Sequence, residues 1–286
     1  MTAGGMGERA TVLGLSLTCR SLGSKPLHCT LAGLGAFAMV VTCNTLAAQE
    51  PPPAPDACTI DLQPTGARRL RDGSDVQLRH FRPQADWAWL CRYRAENDRL
   101  RAAGTRPQGV FIGDSITEFW PVDDPEIFTG GREGRGISGQ TSAQVLLRFQ
   151  QDAIALKPRF IHLLVGTNDI AGNPGALDLA SFRHNMRMMV ALARRNRITL
   201  FIGSILPADR IYWREQAGVA SRIRAENEWL RGLAKSEGVR FIDYSSALAT
   251  EGGALRPQYT ADGIHPNAAG YAAMRTVAAR HLPGLR

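Results

Sequence analysis

Lysine is nearly missing from this chain: it has 3 lysines against 31 arginines in 286 residues. Beside so much alanine and glycine, that bias reads as genomic base composition. The formal charge is +8, but the basic residues are scattered apart from short groups at Arg68, Arg69, Arg71 and at Arg194, Arg195, Arg197. A nucleic-acid footprint needs a patch or stripe, so the surface reads as solvated and no nucleic-acid partner is expected. Cysteine is scarce, at 5 residues, which excludes a disulfide-dense scaffold. Glycine and proline, 29 and 16 residues, are too few and too irregular for collagen or a disordered chain. No apolar run reaches the ~20 residues that a bilayer span needs. There is no internal repeat and no glycine-rich phosphate loop. His80, His184 and His281 lack metal-ligand spacing, so neither metal nor cofactor is implied. His162 sits inside an apolar strand and reads as a satisfied core residue.

What remains is an ordinary globular composition, 44% hydrophobic and 21% charged. At ~150 residues per domain the length fits one large domain or two small ones. Residues 1–48 read as an address. Arg9, Arg20 and Lys25 precede an apolar stretch from Cys29 to Val41, and Thr45-Leu46-Ala47-Ala48 follows with small residues. That order is the pattern of a secretory signal peptide cleaved near Ala48, and it implies export to the periplasm or medium. Val40-Val41-Thr42-Cys43 resembles a bacterial lipoprotein box, although Thr42 fits poorly before the cysteine, so a lipid anchor at Cys43 is the lesser reading. Cleavage removes three basic residues and one acidic residue, taking +8 to about +6, and leaves Cys58 and Cys91. Two cysteines in an exported chain suggest one disulfide, worth roughly 3 to 4 kcal/mol on the chain-entropy model; two buried thiols are the alternative.

After a Pro-rich linker at residues 49–57, an extension over 58–108 precedes a core domain over 109–286. The segment from Asp86 to Ala103 reads as a helix with Trp87, Leu90, Cys91 and Leu100 on or near one face. Gly109 to Ile112 reads as a short apolar strand ending at Gly113. Val145, Phe149, Ala153 and Leu156 form a helical stripe stopped by Pro158. Strands follow at Phe160–Val165, Ile198–Ile202 and Val239–Tyr244. Helices are marked by Leu179, Phe182, Met186, Met189 and Ala193, by Val219–Ala234, and by Tyr271, Met274 and Val277. Alternating strands and helices imply a parallel sheet covered on both faces, with ligands bound outside the carboxyl ends of its strands.

Four turns at that edge carry chemistry. Gly113-Asp114-Ser115-Ile116-Thr117 follows the first core strand, and Gly166-Thr167-Asn168-Asp169 follows the second. Gly136-Ile137-Ser138-Gly139 leads into the Val145 helix, and Asp262-Gly263-Ile264-His265-Pro266-Asn267 enters the last helix, with Pro266 suited to its first turn. Each alone could be a cap or a turn. Together they supply a hydroxyl, an amide, a glycine turn and an Asp/His pair, the inventory of nucleophilic acyl transfer. A serine hydroxyl attacks poorly unless an imidazole takes its proton. The imidazole in turn needs an acceptor on its other nitrogen.

GDSIT, GISGQT, GTNDI and DGIHPN, in that order from about Gly109 to His281, resemble the blocks of the SGNH (GDSL) hydrolase family. They are most similar to the branch of bacterial periplasmic esterases and platelet-activating-factor acetylhydrolase catalytic subunits. The resemblance implies a flavodoxin-like three-layer α/β/α sandwich. It implies Ser115 as nucleophile, His265 as base and Asp262 as its orienting acid. It further implies an oxyanion hole from the Ser115 and Gly139 N–H groups and the Asn168 amide, with Asp114 and Asp169 as supporting residues. One departure stands in the second block, where Gly134 takes a place that relatives often fill with Asn, an exchange expected to loosen that loop while sparing Gly139.

The expected substrate is a small-molecule or polysaccharide ester with a short acyl chain, probed by the candidate contacts Trp120, Tyr212 and Trp213. No long apolar lid is visible, which disfavours a triglyceride lipase. A carbohydrate O-acyltransferase, a lysophospholipase or thioesterase, and a non-catalytic glycan-binding protein of the same fold are the alternatives.

Overall fold

The computed structural model describes residues 86–173 and 178–285, together with the backbone of short strands between residues 9 and 78. In the unit Met1–Thr59, β1 (Arg9–Val12), β2 (Leu15–Arg20), β3 (His28–Ala32) and β4 (Val41–Thr42) pair antiparallel in chain order. The cleavage site near Ala48, Cys43, the linker and Cys58 lie outside the described residues. The second unit, Ile60–Arg286, opens with a hairpin of β5 (Gly66–Arg69) and β6 (Asp75–Leu78).

The rest of this unit is a three-layer α/β/α sandwich around a five-stranded parallel sheet. Its strands are β7 (Gly109–Gly113), β8 (Arg132–Gly136), β9 (Phe160–Leu164), β10 (Thr199–Gly203) and β11 (Arg240–Ile242), in the order β11-β10-β9-β7-β8. The chain steps from β7 to the edge at β8 and then returns to the other side of β7 for β9. This reversal makes the carboxyl end of β7 the switch point of the sheet, where α/β folds open a crevice.

Side-chain alternation divides the core into two clusters. Val110, Ile112, Ile161, Leu163, Leu200 and Ile202 belong to the cluster covered by α3 (Ser142–Asp152), α5 (Leu179–Arg195) and α6 (Val219–Glu237). Phe111, Phe160, Leu164 and Phe201 belong to the other, under α2 (Ser115–Asp123), α7 (Tyr244–Leu248) and α8 (Ala268–Ala278). The apolar stripes expected on the helices fall on these faces. His162 is fully buried, bonds the Tyr244 hydroxyl at 2.8 Å and is pushed down to about 3 by that burial.

Three elements differ from expectation. β8 was not foreseen because its sequence, Arg-Glu-Gly-Arg-Gly, has no apolar alternation; it is an edge strand recognisable only by its pairing with β7. Its glycine ending is a packing requirement, since a Cβ on Gly136 would stand 2.0 Å from the Glu118 backbone nitrogen. The Asp86–Ala103 segment is helical only from Arg94 to Ala102, as α1. Before it, Trp89 takes φ +52° and the Asp86 carboxylate accepts from the N–H groups of Leu90 and Cys91 at 2.8 and 2.9 Å. Trp89 is therefore the buried indole and Trp87 the exposed one. Finally, α8 is capped by Asn267, whose side chain accepts from Gly270 N–H at 3.0 Å, so Pro266 precedes the cap rather than filling the first turn.

Candidate active site

The site grows from the end of β7. Asp114 caps α2 by accepting the Ile116 N–H at 3.1 Å, which leaves Ser115 as the first helical residue at the edge of the sheet. The Ser115 Oγ lies 2.9 Å from His265 Nε2, and His265 Nδ1 lies 2.7 Å from Asp262 Oδ2. The Tyr271 hydroxyl donates to Ile116 O at 2.8 Å, tying α8 to α2, and the two halves of this chain of bonds are carried by those helices and the turns before them.

The Asp262 carboxylate serves two purposes. Its Oδ1 accepts the backbone N–H groups of Ile264 and His265, both at 2.8 Å, and so shapes the turn, while its Oδ2 holds the ring. Burial pushes this carboxyl up, but the His265 ring and these N–H groups outweigh burial and hold it below the ordinary range. An ionised carboxylate can only accept, so Nδ1 is the donor of this pair, an arrangement that in a neutral imidazole leaves Nε2 to accept from Ser115. The Thr260 hydroxyl donates to His265 O at 2.8 Å, and Phe119 stands edge-on to the ring at 5.6 Å. A hydroxyl facing a neutral, oriented imidazole can give up its proton as it attacks a carbonyl carbon.

The strands on either side of β7 lead into the turns that carry Gly139 and Asn168. Gly139, after β8, takes φ +77° in a turn with no neighbour within 4 Å of a Cβ, so it is glycine for its backbone and not for space. Asn168, after β9, donates from Nδ2 to Gln140 O at 3.0 Å and thereby closes the Gly139 turn against α4 (Thr167–Ala171). Asp169 accepts from Ser142, from its N–H at 2.9 Å and its hydroxyl, and fixes the same loop to the start of α3. The Gly139 turn is also pinned by Glu118, which accepts the Ser138 N–H at 2.7 Å.

Beneath these turns lies Arg148, fully buried, which sequence reasoning missed. It donates to Gly113 O at 2.7 Å, to Arg135 O at 2.8 Å and to Gln140 Oε1 at 2.6 Å, with Asp152 as counter-ion at 3.3 Å. One signal was available: Arg148 and Asp152 lie on the same helical stripe as Val145, Phe149 and Ala153, where charge is out of place. The expected loosening around Gly134 is not found. Arg135 is buried and donates to Asn97 at 2.9 Å, and Asn97 donates to Asp152 at 2.7 Å. The Tyr93 hydroxyl donates to Gly136 O, and Gln140 reaches back to Ala88 O at 2.8 Å. The extension from residue 86 thus braces the second block.

The three aromatic candidates part company. Trp120 has no exposed surface and packs between Phe111, Tyr244 and Tyr271, so it is core and offers no face to a substrate. Tyr212 and Trp213 are exposed and meet edge-to-face at 4.6 Å, while Ile211 before them is buried and anchors the loop. Partial burial of the phenol, and then the negative charge of Asp262, raise Tyr212 above the ordinary tyrosine range. Among the described residues, no group of three or more His, Cys, Asp or Glu could hold a metal, and no helix is long and apolar enough to cross a membrane.

This fold and this edge define a class, the carboxylic ester hydrolases of α/β/α architecture. A model of the GDSL-like lipase/acylhydrolase family matches residues 111–273, more than half the chain, and the chain belongs to that family. A GDSL-like lipase of Bacteroides thetaiotaomicron VPI-5482 is 38% identical, with 68% of this chain and 98% of that one covered at a TM-score of 0.64. An acetylxylan esterase of Geobacillus stearothermophilus shares the fold at 16% identity, covering 62% and 94% of the two chains at a TM-score of 0.51. Over 76 residues the chain is 33% identical to the uncharacterized lipoprotein YqeF of Bacillus subtilis (strain 168), a match spanning 25% of this chain and about a third, 31%, of that curated relative.

Asp114 generates a pH signature. Burial, with the nearby Asp169 charge adding to it, pushes its carboxyl up to about 7 against the Ile116 N–H, and its Oδ2 has no hydrogen-bond partner. The folded state therefore holds this proton more tightly than the unfolded chain, so the group's contribution to stability falls as pH rises from about 4 to 7. An Asp114→Asn variant keeps the cap and cannot ionise. Its stability relative to wild type should rise between pH 5 and pH 8 by on the order of 2–4 kcal/mol, read by urea unfolding at each pH. A pH-independent difference would refute the buried proton.

Proposed function

We propose that this protein is a serine esterase that hydrolyses short-chain acyl esters, acetyl esters foremost, through an acyl-enzyme intermediate. The 2.9 Å approach of Ser115 Oγ to His265 Nε2, in line with Asp262, carries the reading. In the first step Ser115 Oγ bonds to the ester carbonyl carbon while His265 Nε2 takes its proton, and Asp262 stabilises the resulting imidazolium. The charge on the carbonyl oxygen is met by the N–H groups of Ser115 and Gly139 and by the Asn168 amide. Collapse of the tetrahedral intermediate breaks the bond to the alcohol, which leaves with the proton held by His265. Water then repeats the sequence, releasing the acid and restoring Ser115. Asp114 and Asp169 support the two turns.

The acyl preference follows from what surrounds the site. Trp87, Val122, Leu147, Met188, Tyr212 and Trp213 are the large exposed hydrophobic side chains among the described residues. Of these, Trp213 donates to Asn173, which itself donates to Asn168, and Tyr212 stacks edge-to-face on Trp213, so the two rings share one loop connected to the Asn168 turn. An aromatic ledge suits the flat face of a sugar or aryl alcohol. The shared fold with an acetylxylan esterase fits an acetylated polysaccharide as substrate.

The mature enzyme, in this reading, begins near residue 49 after export, carries a Pro-rich linker at 49–57 and an extension over 58–108, and pairs Cys91 with Cys58 in a disulfide. The lipoprotein match supports a lipid on Cys43 as a second reading of the same leader. The intact mass of the exported protein before and after reduction reads both points together. Cleavage near Ala48 with a reducible bond is expected; a lipid-sized mass on Cys43 selects the second reading, and free thiols before reduction contradict the pairing.

Ser115→Ala should fold normally and lose about 10⁴-fold or more in kcat, whereas Asn168→Ala should lose roughly 10² to 10³. Both are measured on nitrophenyl esters of graded chain length and on acetylated xylan. Acetate should be turned over faster than longer esters. Full activity in Ser115→Ala would remove the nucleophile from the account.

A further inference from the structure

Asn168 presents one N–H to Gln140 O, and the other must face the substrate oxygen for the proposed reaction to run. A side-chain amide can turn end for end, and the wrong way round it would offer an oxygen to an oxyanion. What prevents this is a chain of three hydrogen bonds. Trp213 Nε1 donates to Asn173 Oδ1 at 3.2 Å, Asn173 Nδ2 donates to Asn168 Oδ1 at 3.0 Å, and Asn168 Nδ2 donates to Gln140 O at 3.0 Å. Both ends of the chain are chemically obligate. An indole N–H can only donate and a backbone carbonyl can only accept, so each amide between them has one orientation that satisfies the chain.

Backbone geometry holds Asn173 in place. Gly172 closes α4 in the left-handed region at φ +70°, and Asn173 N–H then bonds Asn168 O at 3.0 Å, folding Asn173 back over Asn168. The aromatic loop is latched to the same helix end, with Gln216 donating to Ala171 O at 2.7 Å and Arg214 donating to Ala171 O at 3.2 Å. The ledge and the amide are thereby parts of one assembly.

We infer that Asn173 is a positioning residue for the reaction, orienting the Asn168 amide toward the oxyanion and linking it to the Trp213 ring on which the alcohol portion rests. The inference rests on the oxyanion role proposed for Asn168. It acts in the transition state and should therefore appear in kcat with KM for 4-nitrophenyl acetate unchanged.

Asn173→Ala removes the anchor and should lower kcat about tenfold, short of the loss from deleting a donor outright. Asn173→Asp should do worse, approaching the 10²-fold range of Asn168→Ala, because a carboxylate faces Asn168 Oδ1 with acceptors alone and draws the amide nitrogen out of the hole. Trp213→Phe, which keeps a ring and loses the N–H, should fall between wild type and Asn173→Ala. In an Asn168→Ala background, Asn173→Asp should cost nothing further, a non-additivity that a general structural role would not produce. An Asn173→Asp variant with wild-type kcat, or one with its full loss retained beside Asn168→Ala, overturns the inference alone. An Asn168→Ala variant as fast as wild type overturns the oxyanion assignment and the inference with it.

Discussion

Burying a guanidinium costs several kcal/mol in desolvation, on the order of a whole domain's margin, unless its N–H groups are answered. For Arg148 the answers come from the carbonyl of Gly113 at the end of β7, the carbonyl of Arg135 near the end of β8, the side chain of Gln140 in the Gly139 turn, and the Asp152 carboxylate. Removing any one of these turns from its place would leave a charged donor without a partner in the core. The constraint runs both ways: the loops satisfy the arginine, and the arginine holds them within reach of one another. Gln140 is the common point, since its backbone carbonyl receives Asn168 and its side-chain amide reaches the extension at Ala88.

The proposed chemistry then follows from sheet order. Placing β7 between β9 and β8 sets the Ser115 hydroxyl between the two turns that carry Asn168 and Gly139. The fourth turn arrives from the start of α8, positioned by Tyr271 against Ile116 and shaped internally by Asp262. Nothing in this arrangement requires the chain to move to bring hydroxyl, imidazole and carboxylate together. Such readiness is the property that electrostatic and acid–base catalysis draws on.

Much of this was legible in the sequence because its signals are local. Gly113-Asp114-Ser115 and Asp262 to His265 each act within a single turn, and apolar runs such as Phe160 to Val165 have the length of buried strands. The rest depended on partners distant in the chain. β8 is polar and becomes a strand only by pairing with β7. Trp120 sits five residues after Ser115, and only the packing of Phe111, Tyr244 and Tyr271 around it shows that it belongs to the core. Asn173 and Trp213 are forty residues apart, and no spacing rule joins them. Arg148 was visible as a charge on an apolar stripe, but its acceptors are mostly backbone carbonyls, which leave no trace in residue identity.

The central claim is that Ser115 alone, among the many serines of this chain, is made nucleophilic by its surroundings. Treating the purified protein with a serine-directed fluorophosphonate and mapping the adduct by peptide mass spectrometry tests it directly. The account predicts one adduct, on the peptide containing Ser115, formed in step with loss of esterase activity and absent from a His265→Ala variant. An adduct on another residue, or complete turnover with Ser115 blocked, would contradict it.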